Sequence, residues 1–102
     1  PALENKRRST MYSKQTVLKN LTGLHARPAS EFVACAKAFE SKVTVRRLDV
    51  DDAPEANSKS IIKILAQGLS VNTPLEISAD GPDEQAAVDK LVELVDSKFG
   101  ED

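Results

Sequence analysis

Residues 19–39 read KNLTGLHARPASEFVACAKAF; within them a strand pattern ends, a glycine breaks the chain and a helix pattern begins. Pro28 suits the first turn of a helix, where its missing N–H is harmless. Behind it Ala29, Phe32, Val33, Ala36 and either Phe39 or Glu40 recur at helical spacing, which predicts an amphipathic helix from about Ala26 to Phe39. Cys35 lies at the flank of that stripe, where a cysteine serves as a small apolar filler. Upstream, Ser13 to Asn20 has the pattern of a strand, with Thr16 and Leu18 on one face. Residues 1–12 are polar and carry no hydrophobic period, which predicts a flexible extension ahead of a domain over 13–102.

Downstream, Val43 and Val45 alternate with Thr44 and Arg46 in a second strand of about Lys42 to Leu48. Asp49 to Pro54 reads as an acidic turn, because it lacks the glycine and the closing glutamate of a calcium loop. Glu55 to Ser58 reads as a short third strand. Ser60 is placed to cap a short helix through Gln67, and Gly68 is its expected stop. Leu75, Ile77 and Ala79 alternate in a fourth strand. Pro82 then opens a last helix, with Asp83 and Glu84 near the positive end of its dipole. Ala87, Val88, Leu91, Leu94 and Val95 form its inner stripe, with Gly100 as its end. The order βαββαβα predicts a two-layer α+β fold in which helices cover one face of a four-stranded sheet.

Composition narrows the function classes. The 102 residues suffice for one domain with one modest core. Apolar runs are a few residues long, so neither a membrane span nor a secretory leader is expected. The single Cys35 has no internal disulfide partner, which fits a reducing, cytoplasmic setting. One cysteine and one histidine are too few to build a structural zinc site. The net charge of −2 is unevenly spread: Lys6, Arg7, Arg8 and Lys14 face only Glu4 in the first fourteen residues, and the body is acidic. An acidic body with one tyrosine and three phenylalanines argues against nucleic-acid binding.

The chemistry centres on Gly23-Leu24-His25-Ala26-Arg27-Pro28-Ala29, which sets the only histidine of the chain just before a helix start. Amides of a first helical turn have no intrahelical acceptor and favour an anion, so the place suits a phosphoryl group. The dipole end opposes a positive charge on the ring, which leaves the imidazole nucleophilic. Arg27 can give a charge-assisted hydrogen bond to phosphoryl oxygens, and Gly23 permits a tight turn into the site. Taken alone, these residues indicate an anion site beside a nucleophilic histidine.

From about Ser13 to Phe99 the chain resembles the HPr family, phosphocarriers of the phosphoenolpyruvate-dependent phosphotransferase system. The resemblance rests on the Gly23–Ala29 segment, Phe32-Val33, Lys37-Ala38-Phe39, Lys59-Ser60, Ile77-Ser78-Ala79-Asp80-Gly81 and Asp83-Glu84-Gln85. It implies an open-faced β-sandwich with three helices on one side of a four-stranded antiparallel sheet. It also implies a carrier rather than an independent enzyme, acting as a monomer without metal or cofactor. His25 would take a phosphoryl group on Nδ1 from enzyme I and pass it to a IIA component, while Arg27 and the Ala26 amide hold the oxygens. Ile61, Ile62 and Leu65 match residues that contact enzyme I, and Ser60 matches the serine modified by a dedicated HPr kinase.

Departures accompany the likeness. Ala34-Cys35 stands where members often carry a basic residue. The long Asp49–Pro54 connection and Glu55-Ala56-Asn57-Ser58 resemble the nitrogen-related branch, whereas Lys59-Ser60-Ile61 resembles the sugar branch. A competing reading keeps the fold but makes the chain a regulatory module that docks to kinases or transcription factors. Intact His25 and Arg27 speak against that as its sole role.

Overall fold

The computed structural model of the protein describes residues 11–100. Its elements are β1 (Met11–Val17), α1 (Ala26–Lys37), β2 (Lys42–Arg47), β3 (Ala56–Asn57), α2 (Ile61–Ala66), β4 (Pro74–Asp80) and α3 (Glu84–Asp96), closed by a 3-10 turn over Lys98–Gly100. The expected βαββαβα order is the observed one. All pairings are antiparallel, in the order β1-β4-β2-β3, so the central strands are distant in sequence from one another.

Alternation sorts the sheet into two faces. Val43, Val45, Leu75, Ile77 and Ala79 are buried beneath the helices. The intervening positions form the open face, where Arg46 meets its cross-strand partner Glu76 at 2.9 Å. From above, α1 contributes Ala29, Phe32, Val33 and Ala36 to the core, and α3 contributes Ala87, Val88, Leu91 and Val95. Asp89 and Asp96 fasten α3 to the edge strand: Asp89 Oδ1 lies 3.1 Å from the Tyr12 hydroxyl and 2.9 Å from Lys14 Nζ, and Thr16 donates to Asp96 at 2.5 Å.

With six residues, α2 is too short to persist by itself. Ile64 is fully buried beneath it. The Ser60 hydroxyl accepts from Lys63 N at 3.3 Å, the cap expected from sequence. At its other end, Arg47 Nη1 donates to Gln67 O at 2.9 Å, tying the helix to β2.

Several boundaries differ from the sequence expectation. The strand begins at Met11, not Ser13, and Tyr12 pairs with Ala79 and packs on the core. Met11 and Tyr12 are thus sheet residues and not extension; the rest of the expected extension, residues 1–10, lies outside the described residues. Helix α1 stops at Lys37, because the amides of Ala38 and Phe39 turn back to Cys35 O and Ala36 O in tight i→i−3 bonds. Helix α3 ends at Asp96, ahead of Gly100, and Leu94 is only half-buried. Lys98 and Phe99 adopt left-handed backbone (φ 60 and 54°), which turns the Phe99 ring back into the core. Asp83 occupies the cap position of α3 without capping it. Its carboxylate instead accepts from Glu40 N (2.9 Å), Ser41 N (2.9 Å) and Ser41 Oγ (2.5 Å), clamping the α1–β2 turn to the start of α3.

Candidate active site

The loop from β1 to α1 is locked before it reaches His25. Leu18 exchanges hydrogen bonds with the α2–β4 connection, its amide to Thr73 O at 3.0 Å and its carbonyl from Asn72 N at 2.6 Å. Asn20 is 1% exposed; its Nδ2 donates to Gly23 O at 2.9 Å and Thr22 Oγ1 at 3.1 Å, while its Oδ1 is buried without a partner. Gly23 has φ +64°, and a Cβ there would lie 2.4 Å from Leu69 O and 2.7 Å from Ser70 Cα. No other residue tolerates both that backbone and that contact. Leu24 follows, buried, with its amide on Leu69 O at 2.9 Å.

Out of this turn His25 emerges in extended backbone (φ −134°, ψ 146°) at the cap position of α1. It is exposed, and its ring makes no capping bond, so the imidazole is not spent on holding the helix. Ala26, the first helical residue, has φ 42°, a conformation that raises a non-glycine residue by about 1–2 kcal/mol. Pro28 and Ala29 are buried behind it and fix the helix start against the core.

Arg27 is half-exposed and engaged: Nη1 forms an ion pair with Glu31, one turn along α1, and Nη2 donates to Phe99 O at 3.2 Å. His25, Ala26 and Arg27 thus share one helix start, as expected from their spacing. On α2, Ile62 is 74% and Leu65 45% exposed, whereas Ile61 is half-buried against the core. Three residues around the site were not singled out from sequence. Leu21, 78% exposed, lies in the loop leading to His25. Asn20 gave no pattern to find. Glu31 did, since Arg27 and Glu31 stand at the i,i+4 spacing of helical ion pairs. Burial pushes the half-buried Cys35 thiol pKa up, consistent with a filler role.

Among the described residues, no group of three or more histidine, cysteine, aspartate or glutamate side chains could hold a metal ion. Likewise, among the described residues no helix is long and apolar enough to cross a membrane.

The PTS-HPr family model, described as the PTS HPr component phosphorylation site, matches residues 12–97. The phosphocarrier protein HPr of Haemophilus influenzae is 46% identical over 85 residues, covering 83% of this chain and 95% of that protein. The phosphocarrier protein NPr of Proteus mirabilis is 34% identical over 89 residues, covering 87% of this chain and 96% of that one. A solved structure of HPr-C-His from Thermoanaerobacter tengcongensis superposes with a TM-score of 0.81 at 42% identity, covering 89% of this chain and 98% of that one. These matches favour a phosphocarrier over a purely regulatory docking module. With one fold and one family match running from β1 through α3, the chain belongs to the HPr family of phosphotransferase-system phosphocarriers.

Proposed function

We propose that His25 is the phosphoryl acceptor of this carrier, charged by enzyme I and discharged to a IIA component. The observation that carries the reading is the exposed imidazole, which makes no capping bond, held at the start of α1 behind a turn in which Gly23 lies directly against Leu69 and Ser70. A lone pair on Nδ1 attacks phosphorus as the P–N bond to the donor histidine breaks and its electron pair returns to that nitrogen. One proton passes through solvent from the second ring nitrogen of His25 to that of the donor. Both bonds are of the same kind, so the exchange lies near balance and the work of the protein is positioning and charge neutralisation. The Ala26 amide and Arg27 take the equatorial oxygens. No metal or cofactor is assigned to the carrier, and the chain acts as a monomeric substrate protein of the cytoplasm.

Docking uses Ile62 and Leu65, with Ile61 supporting them from the core side. Ser60 is the regulatory position: a phosphate there would set two negative charges beside the apolar patch it precedes. The carrier domain in this reading begins at Met11. Labelled phosphoenolpyruvate with enzyme I is the test. Wild type should take acid-labile label, and His25→Ala should fold and take none. Label on the His25→Ala chain equal to wild type would refute the assignment.

A further inference from the structure

The Arg27–Glu31 pair is poorly placed as a stabilising device. In α1 the base precedes the acid, Arg27 sits in the first turn near the positive end of the dipole, and that turn holds no acidic residue. The favourable order is the reverse. Both side chains are also substantially exposed, at 55% and 38%, where an ion pair adds little to a fold. Its position matters more than its strength. The two terminal nitrogens of Arg27 are the fork that would grip two phosphoryl oxygens. One is engaged by the Glu31 carboxylate and the other by the Phe99 carbonyl.

We propose that Glu31 is a positioning residue that competes with the phosphoryl group for Arg27. In the unphosphorylated carrier the carboxylate stands in for the missing anion and keeps the guanidinium at the helix start. On phosphorylation the phosphoryl oxygens must draw Nη1 away from Glu31, so the modified state forfeits a contact the free state has. The group is thereby held less tightly and is more readily given up, which a carrier between two proteins requires. This inference rests on His25 being the acceptor.

The test is an equilibrium one, and so is insensitive to how fast or how well the partners dock. Label is partitioned between enzyme I and the chain at fixed total amounts, and the ratio is read after exchange is complete. Glu31→Gln keeps the length of the side chain and removes its charge. It should shift label toward the chain by roughly two- to fivefold, the scale of one exposed ion pair, with an unchanged melting temperature. In an Arg27→Ala background the same substitution should shift nothing, because the contested group is gone. A partition for Glu31→Gln equal to wild type would overturn the proposal, as would an undiminished shift in the Arg27→Ala background, which would indicate simple charge repulsion. A wild-type chain that takes no label would overturn the carrier reading itself, and the competition with it.

Discussion

Gly23 and Gly68 offer a matched pair for measuring how rigidly the histidine turn is held. Both have left-handed backbone, at φ +64° and +63°. They differ in surroundings: a Cβ on Gly68 meets nothing within 4 Å, whereas one on Gly23 would sit 2.4 Å from Leu69 O and 2.7 Å from Ser70 Cα. Gly68→Ala should therefore lose only the backbone term, about 1–2 kcal/mol. Gly23→Ala carries the same term plus overpacking against main chain that cannot rotate away, about 1–3 kcal/mol more. For a domain of this size each kcal/mol corresponds to about 4–8 °C of melting temperature. Urea titrations of the two variants, followed by circular dichroism, give the difference directly. The relief available to Gly23→Ala is to break the Leu24 N–Leu69 O bond and move the turn, which would carry His25 with it. Phosphoryl acceptance should therefore fall in Gly23→Ala and hold in Gly68→Ala at temperatures where both are folded. Equal destabilisation of the two variants would refute the reasoning, since it would mean that the turn yields to a methyl group without resistance.

Asp83 is held below the ordinary carboxylate range by the Ser41 hydroxyl and then the Glu40 and Ser41 amides, and Asp89 by Lys14 and Tyr12. Folded values that lie below unfolded ones give stability fully present above about pH 5, lost as pH falls through the unfolded value toward the lowered folded ones. Asp83→Asn should accordingly shallow the acid limb of a melting-temperature profile while changing its slope near pH 7 little; an unchanged acid limb would count against the clamp. Ser60→Ala should lose about 0.5–1 kcal/mol in urea titrations, the lower part of the capping range, because the Lys63 N contact is long at 3.3 Å. Ile62→Ser should leave the melting temperature unchanged, as the side chain is 74% exposed, and weaken calorimetric binding to enzyme I; wild-type affinity would remove Ile62 from the docking face.

What the sequence made legible is what local pattern encodes. The stripe Ala29, Phe32, Val33 and Ala36 marks the buried side of α1, and all four are buried. Ser60 and Gly68 bracket α2 because cap and stop are set by single residues with one conformational preference each. Tertiary choices were not legible. Tyr12 follows a polar arm and carries no strand signal by itself; it joins β1 because Ala79 lies opposite and Asp89 takes its hydroxyl. Asp83 has the composition of a helix cap and forgoes that role for Ser41, a partner 42 residues away in sequence. The histidine site was readable through Gly23, His25, Arg27 and Pro28, whereas the Phe99 carbonyl on Arg27 depends on a backbone reversal that no residue preference announces.

The placement of strain in this site follows from what surrounds it. If His25 is the acceptor, as proposed, it meets two different proteins and is not to be fixed by contacts to its own ring, since any such contact would have to be broken at each transfer. Its position has to be set by the backbone on either side. Before it, Gly23 and Leu24 are pinned to Leu69, and the buried Asn20 amide closes the turn. After it, Pro28 and Ala29 are sunk in the core. Two fixed ends leave His25 and Ala26 to absorb whatever mismatch remains between them, and Ala26 does so at φ 42°. A conformation unfavourable by about 1–2 kcal/mol persists only where neighbouring contacts over-determine it, and those contacts are the ones that aim His25 outward. Relaxing Ala26 by substitution with glycine should therefore leave the direction of the imidazole nearly unchanged, because the restraint lies in the flanking residues and not in the strained one.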